Sequence, residues 1–332
     1  GNLKMSKTYP IEFSPLYRMR NRRKLARVLK LDEKYFKQNH TYKYNHFSEP
    51  KPNGTGTRNF TVPEKELKSI QKRICKLMSR IETPEWVISG KKKHSYISNA
   101  RNHCRNYNVK TMDISQFYDS VKRKYVYSMF KEKFLMADDI AWIMTDLVMC
   151  GGTLPTGSPT SQLVVYWSYS DMFENIYEIA RKYKCEFTLY VDDMTFSSNI
   201  GISKQLRKDV EKLLNSYCLH AKAKKDHYYQ NNAFKKVTGV GIKKGKLLVP
   251  NQKRYEIIEM YKTCLKNKDI VEIEKLRGLL TSARQIEPDI FPEIYRFVEK
   301  YKDDLNLLAR NRYYRNMRKR KKVQRCEDVA CV

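Results

Sequence analysis

Phe187-Thr188-Leu189-Tyr190-Val191-Asp192-Asp193-Met194-Thr195-Phe196-Ser197 sets two adjacent acids between two apolar, β-rich runs. The pattern predicts a β-hairpin with Asp192 and Asp193 at its turn. Bare carboxylates side by side repel: about 4 Å apart, at an effective dielectric near 20, the cost is roughly 4 kcal/mol. A divalent cation removes that cost, and Mg2+ prefers carboxylate oxygen. A lone Asp-Asp is ordinarily a solvated acidic turn. Here the flanks are apolar rather than a polar loop, which argues for the metal.

Upstream, Val109-Lys110-Thr111-Met112-Asp113-Ile114-Ser115-Gln116-Phe117-Tyr118 reads as a strand ending at Asp113 and turning toward an aromatic pair. Three carboxylates on two strands can hold two Mg2+ about 3.5–4 Å apart, which clamps both oxygens of an in-line phosphoryl displacement. Between the acids lies Gly151-Gly152-Thr153-Leu154-Pro155-Thr156-Gly157-Ser158-Pro159-Thr160-Ser161-Gln162, ahead of the apolar Leu163-Val164-Val165-Tyr166-Trp167. A loop rich in Gly, Pro and hydroxyls that opens a helix lets backbone approach a base or sugar, and the helix start favours phosphate. Read alone, it is an ordinary Gly/Pro turn.

In this order the three segments resemble the palm of a reverse transcriptase. Asp113 matches the first catalytic acid, and Tyr190-Val191-Asp192-Asp193 the Tyr-x-Asp-Asp box. Pro155-Thr156-Gly157-Ser158-Pro159 matches the loop usually written Pro-Gln-Gly, with Thr156 in place of Gln and Gln162 where Pro is usual. Tyr118 falls at the aromatic gate that excludes a ribose 2′-OH, which implies dNTP substrates. Asn99-Ala100-Arg101-Asn102-His103 and Val237-Thr238-Gly239 fit the Asn-Ala-x-x-His and Val-Thr-Gly signatures of bacterial retron reverse transcriptases. On the residues alone, His103 is equally a satisfied histidine at a helix–loop junction, and Val237-Thr238-Gly239 any strand end. The likeness runs from roughly Lys51 to Arg284.

Composition agrees with a polyanionic partner. The 332 residues carry 66 Lys+Arg against 36 Asp+Glu, a net charge of +30, and such a surplus repels itself unless nucleic acid is bound. The 24 tyrosines interleave with Lys and Arg, a pairing suited to stacking on unpaired bases. No apolar run approaches transmembrane length and no signal peptide is visible, so no membrane partner is expected. Eight cysteines are scattered without a Cys-x-x-Cys pair, which fits neither zinc nor a disulfide framework and suits a reducing bacterial cytoplasm.

The expected fold class is α+β, a right-hand polymerase with fingers, a palm of antiparallel sheet flanked by helices, and a helical thumb. Residues 1–48 read as a basic helical arm, 49–105 as fingers, 106–245 as palm, 246–309 as thumb and 310–332 as a basic tail. A fingers hairpin is expected with Lys51 at its tip and Arg58 on its return strand, where the family contacts the triphosphate. A solvated basic strand is the alternative for Arg58. The periodicity predicts helices over 64–81, 121–149, 162–182 and 203–219, a loop over 86–99, and helices from Gln252 onward. Lys225 lies where the family keeps a lysine near the leaving pyrophosphate; a basic loop without that role is the alternative.

The resemblance further implies the chemistry. Asp113, Asp192, Asp193 and the Ile114 backbone would hold two Mg2+, for which Mn2+ can substitute. Arg58, Tyr118, Gly157 and Lys225 would contact nucleotide. Asn99, His103, Val237, Thr238, Gly239, Arg318, Lys319 and Arg320 would contact RNA or primer. The implied activity is RNA-directed DNA synthesis on a cognate structured non-coding RNA, primed from a guanosine 2′-OH to give branched RNA–DNA (msDNA). The implied partners are that RNA, the msDNA, dNTPs, an effector or toxin of one anti-phage system, and a host RNase H. Alternatives are another bacterial reverse transcriptase with 3′-OH priming, and a nucleic-acid-binding scaffold restraining a toxic effector.

Overall fold

In chain order the first elements are α1 (Arg22–Val28), the strands β1 (Tyr44–Pro50) and β2 (Thr57–Pro63), and α2 (Lys65–Met78). The computed structural model describes residues 8–51 and 56–329; beyond residue 315, side chains are described only at Met317. α2 forms because Leu67, Ile70, Ile74, Leu77 and Met78 repeat at helical spacing, and all five are buried. The N-terminal region is not the helical arm expected from its sequence. Among its described residues, 8–48, only Arg22–Val28 is α-helical, capped by the Asn21 side chain. Leu16, Met19, Leu25 and Leu29 are buried in the same core as the sheet, because a helix this short is held by packing rather than propensity.

Next come α3 (Tyr96–His103), β3 (Asn108–Asp113), α4 (Phe117–Ser120), α5 (Arg123–Ser128), α6 (Asp138–Val148), α7 (Ser161–Ser168) and α8 (Ser170–Lys182). α3 begins inside the expected loop, where Ser95 and Ser98 form a reciprocal capping box. The single helices expected over 121–149 and 162–182 are each broken, the first by a π-turn at Met129–Lys133 and the second at Tyr169. These breaks let Phe130, Phe134 and Tyr169 enter the core.

The sheet is completed by β4 (Glu186–Tyr190), β5 (Asp193–Ser198) and, after α9 (Lys204–Ser216), β6 (His227–Tyr229). Its order is β4-β5-β3-β6, antiparallel throughout. β3 and β5 are buried along most of their length rather than at alternate residues, so both faces of the central strands are covered.

The chain divides into two compact units, Gly1–Thr238 and Gly239–Val332. The first ends with β7 (Lys235–Val237). The second opens with the hairpin β8 (Val240–Lys243) and β9 (Lys246–Leu248), then continues as α10 (Asn251–Asn267), α11 (Ile270–Ile286), α12 (Pro292–Glu299) and α13 (Lys302–Val329). Its core is built from Ile257, Cys264, Ile273, Leu276, Leu280, Ile294, Val298 and Leu305. Glu287 ties its start together, accepting from the Val249 N–H at 2.7 Å and from Arg254 at 2.6 Å. The expected basic tail is backbone of α13 as far as Val329. No helix among the described residues is long and apolar enough to cross a membrane.

Candidate metal centre

Strand pairing alone brings the acids together. β3 ends at Asp113, β5 begins at Asp193, and the register sets these two directly opposite. Asp192 occupies the preceding turn, and its carbonyl accepts the Ile114 N–H at 3.1 Å, which brings the Ile114 backbone beside the acids. One ligand oxygen from each of Asp113, Asp192 and Asp193 lies within 4.8 Å of the others. Asp113 is 3 % exposed. Its Oδ1 is buried without a hydrogen-bond partner, while its Oδ2 lies 3.2 Å from Lys225 Nζ.

The cluster is short of positive charge. Burial, then the charge of Asp113, pushes Asp192 up to about 6. Burial, a hydrogen bond with Asp113 and the neighbouring charges also push Asp193 well above the usual carboxylate range. Lys225 and Lys222 act in the opposite direction on Asp192 and do not overcome this. Three crowded carboxylates with an orphan buried oxygen form an all-oxygen donor set that fits a hard divalent cation such as Mg2+ or Mn2+.

The turn that presents Asp192 is strained. Val191 has φ 59°, a left-handed conformation that is costly for a β-branched residue. Its N–H donates to Ser89 Oγ at 3.1 Å. Ser89 is delivered by the segment 86–89, which lies alongside β4: Leu189 donates to the Trp86 carbonyl at 2.8 Å, and Ile88 to the Leu189 carbonyl at 2.9 Å. Sequence reasoning missed Ser89. Its partner lies 102 residues away, and a lone serine in a loop carries no local signal.

Of the expected nucleotide contacts, two reach the acids. Tyr118 is half-buried beside Asp192, and burial followed by that charge pushes its phenol to about 12. Burial pulls the Lys225 amine down, but Asp113, Asp193 and Asp192 outweigh it and hold it above its ordinary value. Gly157 serves a packing role: a Cβ there would lie 2.5 Å from Val62 Cγ2 and 2.9 Å from the Thr61 carbonyl. The Gly157 N–H donates to that carbonyl at 2.9 Å, and Thr156 Oγ1 accepts from the Thr61 N–H at 3.1 Å. The loop over 155–157 is therefore pinned to β2. Arg58 is exposed on β2 opposite Glu49, and no interaction joins it to the acids.

The expected RNA contacts divide differently. Asn99, His103 and Val237 are each 0 % exposed, so their side chains offer RNA no surface in this conformation. His103 binds Ser197 Oγ on β5 and Thr188 Oγ1 on β4, both at 2.6 Å, and burial pushes it down to about 3. It is a neutral cross-link between α3 and the sheet. Asn99 Nδ2 donates to Thr238 Oγ1 at 3.4 Å, and Thr238 Oγ1 donates to the Tyr96 carbonyl at 2.7 Å. The two sequence signatures thus meet on α3, although Asn99 Oδ1 is buried unpaired. Thr238 and Gly239 are partly exposed. The backbone of Arg318, Lys319 and Arg320 continues α13, and their side chains lie outside the described residues.

No family model matches the chain. It is 28 % identical over 217 residues to the retron Se72 reverse transcriptase of Salmonella heidelberg (strain 579083-10), covering 63 % of this chain and 57 % of that protein. It is 26 % identical over 160 residues to the retron Ec48 reverse transcriptase of Escherichia coli, covering 45 % and 39 %. It is 23 % identical over 246 residues to the retron Ec86 reverse transcriptase of the same organism, covering 73 % and 76 %. The match thus spans less than two thirds of the first two relatives. By these likenesses, the chain is similar to retron reverse transcriptases.

Proposed function

We propose that the chain is an RNA-directed DNA polymerase of the retron type, with the first unit as fingers and palm and the helices of the second as thumb. The observation that carries the reading is the acid trio at the β3/β5 register, flanked by Tyr118 and Lys225, in a chain similar to proteins named retron reverse transcriptases.

Asp113, Asp192 and Asp193, with the Ile114 carbonyl, would hold two Mg2+, and Mn2+ would substitute. Bound there, the ions supply charge neutralisation for the primer hydroxyl and the triphosphate of an incoming dNTP. The rest is the work of the chain. Lys225 sets a cation at Asp113, half exposed, where it offsets charge on the leaving pyrophosphate and can give it a proton. Tyr118, with its phenol at about 12, stays neutral at physiological pH and excludes a ribose 2′-OH by shape. Arg58, exposed on β2, would reach the triphosphate from the hairpin. Basic residues of α13, Arg318, Lys319 and Arg320 among them, would grip RNA phosphates, where affinity falls with salt.

On this reading the template is a structured RNA encoded beside the gene, priming starts from a guanosine 2′-OH, and the product is msDNA. Template removal falls to a host RNase H, and an effector protein completes an anti-phage system. The test is co-expression with the neighbouring RNA, wild type against Asp192→Ala. Short DNA joined to RNA through a 2′ branch, absent in the variant, is the expected result. Activity only on a generic primed template would keep the polymerase and remove the retron identity.

A further inference from the structure

Residues His220 to Tyr229 run antiparallel beside β3, but unevenly. Ala221 bridges to Ile114 and His227 pairs with Thr111, so five residues, 222–226, face only two, 112 and 113. The excess is extruded at the acids as a tight turn, closed by Lys225 N–H to the Lys222 carbonyl at 3.0 Å and Asp226 N–H to the Ala223 carbonyl at 3.2 Å. Such an extrusion leaves its residues unpaired and locally disrupts the ladder, so its geometry depends on how its ends are held. The near end is held by Lys222 N–H donating to the Asp113 carbonyl at 2.7 Å. The far end passes into β6, paired at His227 with Thr111, whose hydroxyl donates to the Lys225 carbonyl at 3.4 Å, and a side chain holds it as well.

That side chain is Asp226, 9 % exposed. One carboxylate oxygen takes Lys110 of β3 and the other takes Arg207 of α9, and Arg207 also binds Glu211 at 3.0 Å. The four charges balance, two of each sign. Lys110 stands three residues before Asp113 on the same strand. The strand that carries the catalytic acid therefore also anchors the turn that carries its cation.

We infer that Asp226 is the positioning residue for Lys225: pinned by Lys110 and Arg207, it fixes the turn so that Lys225 Nζ stays on Asp113. The inference rests on the polymerase reading. Asp226 pairs with Lys110 and Arg207 rather than with the acid trio, so its effect passes through its neighbour. Removing it leaves Lys110 and Arg207 facing each other with no shared anion, and the turn keeps its strand pairing but loses its side-chain anchor.

The test is a double-mutant cycle on single-nucleotide incorporation with Mg2+, comparing wild type, Asp226→Asn, Lys225→Ala and the double variant. Rate and dNTP KM are read separately, with a thermal midpoint for each protein. Asp226→Asn is expected to lower the rate about tenfold or more, a part of the roughly 10²–10⁴-fold that a general acid contributes. In the Lys225→Ala background it should change the rate by less than about twofold, because the residue through which it acts is gone. A purely structural loss would instead multiply the two effects. Should Asp226→Asn fail to fold, Arg207→Gln, which leaves the Lys110 pair in place, must show the same non-additivity with Lys225→Ala. An unchanged rate in Asp226→Asn, or multiplied losses in either cycle, overturns the inference while leaving an active polymerase. A wild-type protein that incorporates no dNTP on any primed template overturns the polymerase reading and this inference together.

Discussion

Two polar clusters sit on one sheet in opposite electrostatic states. At the Asp113 end of β3, three carboxylates crowd together with one half-exposed cation in contact and one buried oxygen unpaired. On β4 and β5, at Thr188 and Ser197, His103 is also fully buried, yet both ring nitrogens are paired. Buried polar groups are ordinarily satisfied. A satisfied cluster holds the fold, whereas one left frustrated is waiting for something the chain does not supply. The comparison separates two motifs that look equally functional as sequence.

The sharpest way to break this comparison is Asp192→Asn. Incorporation should fall about a thousandfold or more, the loss of several kcal/mol of transition-state stabilisation. Without Mg2+, the same variant should be more stable than wild type by about 1–2 kcal/mol, since it relieves crowding among like charges. Urea midpoints with and without Mg2+ check this: wild type should gain stability from the ion and the variant should gain little. A destabilised variant would mean that the acids are not frustrated.

Gly157→Ala probes the loop between the acids. The added Cβ meets Val62 Cγ2 and the Thr61 carbonyl well inside contact distance, so about 3 kcal/mol of stability should be lost. A fully stable variant with a raised dNTP KM would favour the nucleotide-binding role for Gly157 over the packing one.

For His103 the sign follows from burial. Its native pKa of about 3 lies below the unfolded value near 6.5. The unfolded chain therefore takes up a proton below pH 6.5 and the native protein does not. The stability His103 confers is present above pH 6.5 and drains away as pH falls toward about 3, with about 2 kcal/mol lost at pH 5. His103→Gln should be weaker at pH 7 yet lose less between pH 7 and pH 5. Equal slopes in urea titrations at the two pH values would show that His103 is not a neutral cross-link.

The smallest effect is expected from Thr238→Val, which removes the hydroxyl joining Asn99 to the Tyr96 carbonyl. About 1 kcal/mol should be lost, read as a shift in thermal midpoint. RNA affinity at fixed salt should hardly change, whereas a large loss of affinity with normal stability would make Thr238 an RNA contact.

Much of the architecture was legible because it is local. The apolar, β-rich runs on either side of Asp192-Asp193 mark the hairpin, and the spacing of Leu67, Ile70 and Ile74 marks α2. Breaks within the longer helical stretches were not legible, since Tyr169 and Phe130 leave the regular pattern only to fill the core. The N-terminal region misled for the same reason: Leu16, Met19, Leu25 and Leu29 do form an apolar set, but one that a short helix and loops bury jointly.

The sequence by itself determined the acid pair, its hairpin and the chemistry a trio of carboxylates invites, because apolar runs and residue type are properties of a few neighbouring positions. Only the tertiary structure decided that Asp193 faces Asp113, that Ser89 holds the strained Val191, that Asp226 anchors the turn of Lys225, and that Asn99 and His103 are buried. Each of those rests on a pairing between residues far apart in the chain. Such pairings are fixed by register and by the satisfaction of buried polar groups, and a local pattern of residues records neither.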